Sequence, residues 1–161
     1  MDWELLFEKQ VKLDAYISNN HDLSKADLFE QKILALLVEL GELANETRCF
    51  KFWSMKARNE DSVIIEEYVD NIHFLLSLGL EKNLAFKEIT YEKKIVSETA
   101  QFNQIFEYIS KFREDTTKEN YLNLFKAYLQ LANILGFSNE AIMKAYDAKN
   151  EVNFARQDQG Y

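Results

Sequence analysis

The chain has 161 residues, with 27 acidic against 19 basic side chains, a formal net charge of −8, four glycines and no proline. At an ordinary usage of about 5% proline would occur roughly eight times, so its absence excludes turn-rich β-sandwiches and barrels and favours long unbroken helices. A composition 47% hydrophobic and 14% aromatic excludes disorder, and the acidic balance has the wrong sign for gripping a polymeric nucleic-acid backbone.

Helical spacing of apolar residues predicts a first helix from about Trp3 to Ile17, closed by the polar run Ser18, Asn19, Asn20 and His21. A second is predicted from near Ser24, whose hydroxyl forms a capping-box pattern with Asp27, to about Thr47. Its apolar stripe is Ile33, Leu36, Leu37, Leu40, Leu43 and Ala44. The polar stretch from Lys56 to Glu60 leads into a third helix, capped by Asp61 or Ser62 and running to about Leu78, with Gly79 as its stop signal. The charged segment from Glu81 to Lys94 carries no clear period. Three more helices are predicted at Ser97 to Phe112, Lys118 to Leu135 and Ser138 to Ala155, with Gly136 between the last two. The expected architecture is an all-α helical bundle of about six helices in one domain spanning 1–161. Cys49 is the single cysteine, which excludes an intrachain disulfide, reads as a small buried hydrophobe and suits a reducing cytoplasmic setting. No apolar run approaches the roughly 18 residues of a membrane span, so no membrane partner is expected.

Two pairs of carboxylates carry the chemistry. Glu39 and Glu42 are three residues apart in ELGELANE, and so are Glu67 and Asp70 in EEYVDNIHF, which puts each pair on one side of its helix. At about 100° per residue, with Glu39 at 0°, Glu42 falls near −60°, while the apolar stripe runs from about 40° to 160°. The acidic face borders the core face. On the third helix the acids are enclosed by Val63, Phe74, Ile64, Leu75, Ile72, Ile65 and Leu76. Glu42 lies about 8 Å of helical rise from the end of its helix and Glu67 about 9 Å from the start of the next, so an antiparallel hairpin brings both pairs to one level. Like charges so placed call for a cation, and an all-oxygen set suits Mg²⁺, with Mn²⁺ as an alternative.

Glu39-x-x-Glu42, 24 intervening residues and Glu67-x-x-Asp70 resemble the metal signature of the all-α NTP pyrophosphohydrolase superfamily, which includes MazG-like proteins and dimeric dUTPases. The carboxyl-terminal run from Lys149 to Tyr161 is similar to the phosphate-binding motif of the dimeric dUTPases, with Lys149, Asn153, Arg156, Gln157, Gly160 and Tyr161 in place. The resemblance extends to Val69-Asp70-x-x-His73-Phe74 and Phe50-Lys51-Phe52-Trp53-Ser54. It implies the all-α NTP pyrophosphatase fold, a homodimer, and hydrolysis of dUTP to dUMP and pyrophosphate. It also implies that residues 82–135 are a variable helical part packed over the site. Lys149, Asn153 and Arg156, spaced four and three apart, align two cations and an amide on one helical face able to bind a polyphosphate.

Under that resemblance Glu39, Glu42, Glu67 and Asp70 are expected to hold the metal, with Glu39 also acting as base or orienter of the attacking water. Gln10, Trp53, His73 and Phe74 are the expected uracil-binding residues, and Asp14, one turn past Gln10, is a further candidate. His73 also reads as a neighbour supporting the metal ligands. Three other readings compete. A MazG-like pyrophosphohydrolase with another base preference shares the carboxylate signature, a di-iron bundle would use Asp70-x-x-His73, and a helical binding protein would need no converging acids at all.

Overall fold

The computed structural model describes residues 1–23 and 26–160. Six helices order the chain: α1 (Trp3–Asn20), α2 (Phe29–Thr47), α3 (Asp61–Glu81), α4 (Glu98–Glu114), α5 (Lys118–Leu135) and α6 (Asn139–Asp158), with no strand among the described residues. Side-chain caps fix most of the starts. The carboxylate of Asp2 and the hydroxyls of Ser97, Thr117 and Ser138 accept from the backbone N–H groups of Leu5, Ala100, Asn120 and Ala141, each satisfying a donor the helix leaves open.

Several boundaries differ from the sequence expectation: α3 already includes Asp61 and Ser62, with Glu60 at the cap position and no side-chain cap bond, and α4 and α6 run on to Glu114 and Asp158. α1 continues through Ser18 and Asn19 to Asn20 and is reversed at Asp22, whose φ is 52°; the polar residues simply occupy an outward last turn. α2 begins at Phe29, where Asp27 Oδ1 accepts from Phe29 N at 3.2 Å, so Asp27 itself serves the helix start. Ser24, the expected cap, lies outside the described residues. α3 does not stop at Gly79 but runs on to Glu81. A Cβ on Gly79 would lie 2.2 Å from the Tyr121 hydroxyl oxygen, and that hydroxyl donates to the Leu75 carbonyl at 2.9 Å. The glycine makes room for α5, and the chain turns only at Asn83, with φ 56°.

α2 and α3 form the antiparallel hairpin at the centre. Lys32 pairs with Glu81 at 2.7 Å at one end, and Asn59 N donates to Glu46 O at 3.1 Å at the other. The α4–α5 hairpin packs against α2 and α3, while α6 packs against α3 and α1. Tyr68 and Tyr128, both fully buried, stack at 4.6 Å. Each hydroxyl donates to the other residue's carbonyl, at 3.2 and 2.7 Å, so neither leaves a buried polar group unpaired. The long connection from α3 to α4 is tied down by Phe86, whose ring meets those of Trp3, Phe7 and Phe125 at 5.6, 5.3 and 5.0 Å. Among the described residues no helix is long and apolar enough to cross a membrane.

Candidate active site

One carboxylate oxygen each from Glu39 on α2 and Glu67 and Asp70 on α3 lie within 4.8 Å of one another. The hairpin produces this meeting, as the matched helical rise predicts. Glu42 stands exposed beside the group, because it is rotated about 60° further from the apolar stripe than Glu39. Crowding shows in the protonation energetics. Glu39 is pushed up to about 7, first by burial and then by the charges of Asp70, Glu42 and Glu67. Glu67 is raised by burial and by Asp70 and Glu42. Asp70 is raised by burial despite the opposing pull of Lys149. A compact set of mutually repelling carboxylate oxygens, with no nitrogen or sulfur donor among them, fits a hard divalent cation.

Lys149 of α6 reaches into the group, its Nζ 2.7 Å from Asp70 Oδ2 and 3.0 Å from Glu66 Oε1. Burial opposes its charge, but these two carboxylates more than offset that and hold it above the ordinary lysine range. Asn153 and Arg156, on later turns of α6, face the same cleft, and Arg156 is close enough to favour the charged form of Asp70. α1 steadies this end of α6: the rings of Tyr16 and Phe154 lie 5.2 Å apart, Tyr16 donates to Asp158, and His21 Nε2 meets Gln157 Oε1 at 2.8 Å.

Further along the cleft lies a buried polar network. Gln10 is 3% exposed, and its Nε2 donates to Asp14 Oδ1 at 2.8 Å while Ser77 Oγ donates to Asp14 Oδ2 at 2.7 Å. The acceptor-only carboxylate fixes the amide orientation, so Gln10 Oε1 accepts from Tyr146 at 3.0 Å and from His73 Nδ1 at 2.8 Å. The imidazole therefore carries its proton on Nδ1. Burial, with help from Lys149, pushes His73 down to about 3, and its ring stacks on Tyr146 at 4.2 Å. His73 Nε2 is buried with no hydrogen-bond partner.

A cleft of about 950 Å³ joins the two regions, a size suited to a small ligand. Gln10, Glu39, Asp70, His73, Phe74, Lys149, Asn153 and Arg156 line it together. Trp53 does not: it is 65% exposed on the α2–α3 loop, its ring 5.0 Å from Phe52 and 6.0 Å from Phe50. No residue from 83 to 148 lines the cleft, so the α4–α5 hairpin, packed on α2 and α3, does not cover it. His73 is not among the clustered carboxylates and turns to Gln10 instead, which removes the geometric basis for an Asp-x-x-His iron ligand pair and for a supporting contact to those acids. Tyr161 lies outside the described residues.

Ser77, Tyr146 and Glu66 are site residues that sequence reasoning missed. Ser77 carries a usable signal, since Gln10/Asp14 and His73/Ser77 are both polar pairs spaced four apart beside apolar neighbours. Glu66 carries none, because next to Glu67 it reads as a solvated acid.

The sequence profile of the family described as dUTPase matches residues 2–161. No curated protein matches the chain.

Proposed function

The chain belongs to the dUTPase family and is a dUTP diphosphatase, hydrolysing dUTP to dUMP and pyrophosphate, and from that premise we propose how its residues divide the work. The family depends on a divalent cation. Glu39, Glu42, Glu67 and Asp70 hold it here, as Mg²⁺ or alternatively Mn²⁺. The observation that carries this reading is the set of three carboxylate oxygens within 4.8 Å at one end of a nucleotide-sized cleft. When bound, the ion neutralises phosphate charge and acidifies water.

Glu39 faces the Glu67–Asp70 pair from the opposite helix and acts as base or orienter of the attacking water. Lys149, Asn153 and Arg156 take the triphosphate, Arg156 through its planar fork and Lys149 as a point charge. Gln10, His73 and Phe74 receive the uracil. The buried network that immobilises Gln10 and His73 supports this role, because a pocket whose polar groups are locked discriminates between bases by what it leaves unpaired.

The chain works in the cytoplasm as a homodimer. The loop between α2 and α3 supports that assembly, since Phe52, Trp53 and Met55 stand 94%, 65% and 102% exposed, an apolar cluster of the kind that marks an interface. Trp53, outside its own cleft, meets a base only across such a contact. Residues 82–135 are the variable helical part of the domain spanning 1–161.

Pyrophosphate release measured from each dNTP and from UTP, on wild type and Gln10→Ala, tests the recognition roles. The expected outcome is a dUTP preference that Gln10→Ala erodes. Equal turnover of dCTP and dUTP by the wild type would contradict the pocket assignment. Light scattering of the purified chain, with a mass of two copies expected and of one copy contradictory, tests the dimer.

A further inference from the structure

Lys149 sits where a cation bound by the carboxylates would repel it. Its Nζ lies 2.7 Å from Asp70 Oδ2, and the two side chains are only 10% and 14% exposed, so water screens the pair little. The second partner differs. Glu66 Oε1 lies 3.0 Å from the same Nζ but its side chain is 59% exposed, and its carboxylate is not one of the three that cluster. Glu66 and Asp70 are four apart on α3, one helical turn, so the ammonium rests between an inner and an outer acceptor. A lysine stem can swing its head between two such positions with little motion of its helix.

We propose that Lys149 is a built-in counter-ion of the carboxylate group that competes with divalent cations for Asp70, and that Glu66 is the positioning residue that receives its ammonium when a cation binds. The proposal rests on the reading of Glu39, Glu67 and Asp70 as the metal-holding group. Without metal, Lys149 offsets part of the repulsion among the three acids. With metal, a double positive charge a few ångströms away drives the ammonium off Asp70, and Glu66 keeps it at the cleft edge. The head is then available to the triphosphate. Metal and nucleotide binding are thereby coupled, and by linkage each strengthens the other.

The test is calorimetric titration of Mn²⁺ into the full chain, stripped with EDTA and desalted, with no nucleotide present. Lys149→Met, which keeps the stem and removes the charge, is expected to bind Mn²⁺ at least about tenfold more tightly than wild type, and to melt at lower temperature in EDTA. Glu66→Gln, which leaves the ammonium wholly on Asp70, is expected to bind about threefold more weakly. That loss should shrink to below about 1.5-fold when Lys149 is already Met, because the coupling runs through the ammonium. Lys149→Gln replaces the Met variant should the latter fail to give a cooperative melt. Unchanged or weaker Mn²⁺ binding in the charge-removed variant overturns the competition. An equal effect of Glu66→Gln in both backgrounds overturns the role of Glu66. A wild type that takes up no Mn²⁺ and hydrolyses dUTP at an undiminished rate in EDTA overturns the metal-holding reading itself, and this proposal with it.

Discussion

At one end of the cleft Glu39, Glu67 and Asp70 bring three carboxylate oxygens within 4.8 Å, with Lys149 against Asp70. At the other, Gln10, Asp14, Ser77, His73 and Tyr146 are joined by four hydrogen bonds of 2.7 to 3.0 Å, with His73 Nε2 left without a partner. The first region is under electrostatic tension from its like charges; the second is largely hydrogen-bonded within itself. Protons act on the two in opposite senses. Glu39 is raised from 4.5 to about 7, so the folded protein holds that proton more tightly than the unfolded chain; the associated stability is full below 4.5 and is lost as pH rises through 7. His73 is lowered from 6.5 to about 3, so the unfolded chain takes its proton first; that stability is full above 6.5 and is lost as pH falls toward 3. The contrast suits the proposed roles, in which charge stabilisation waits for metal and phosphate whereas base recognition needs donors and acceptors already fixed.

Removing one of the proposed ligand carboxylates separates activity from stability most sharply. Glu67→Gln should lower kcat by about a thousandfold or more, while raising the metal-free melting temperature by about 2–4 °C through relief of repulsion. Steady-state kinetics and a melt in EDTA check the two halves, and a fall in both would break the contrast. Gln10→Ala should act in the reverse pattern, destabilising by about 2–4 kcal/mol as His73 Nδ1, Tyr146 and Asp14 lose a partner. Denaturant unfolding would show it, and a loss under 0.5 kcal/mol on the order-of-magnitude scale of single hydrogen bonds would mean the network is not formed. Asp14→Asn frees the orientation of the Gln10 amide, and should cost about tenfold in the kcat/KM preference for dUTP over dCTP with a smaller stability loss. Next in size is the pH effect. The metal-free melting temperature of wild type, minus that of Glu39→Gln, should fall steadily between pH 4.5 and about 7, whereas a flat difference would show that Glu39 is not crowded. Smallest is Tyr16→Phe, which keeps the ring on Phe154 but drops the bond to Asp158. It should raise KM for dUTP about twofold and leave kcat alone, since it loosens one surface contact near Asn153 and Arg156.

Much of this was legible from helical arithmetic. The register of Glu39 against Glu67 and Asp70, the outlying angle of Glu42, and the shared face of Lys149, Asn153 and Arg156 all follow from about 100° per residue, and the six helices followed from apolar spacing. What escaped depends on contacts distant in sequence. Gly79 carries a local stop signal, yet the helix continues because Tyr121 of α5 needs its missing side chain. Gln10 meets His73 across 63 residues, and Lys149 meets Glu66 across 83; neither pairing has a local period to betray it. Trp53 carried a motif-level resemblance, but the loop holding it turns away from its own cleft.

The central claim is that the clustered carboxylates serve the reaction by holding a divalent cation. Pyrophosphate release from dUTP by the wild-type chain, in Mg²⁺ and then in excess EDTA, addresses it most directly. Release in Mg²⁺, none above background in EDTA, and recovery on adding Mg²⁺ back is the predicted result. Release at an undiminished rate in EDTA would contradict it.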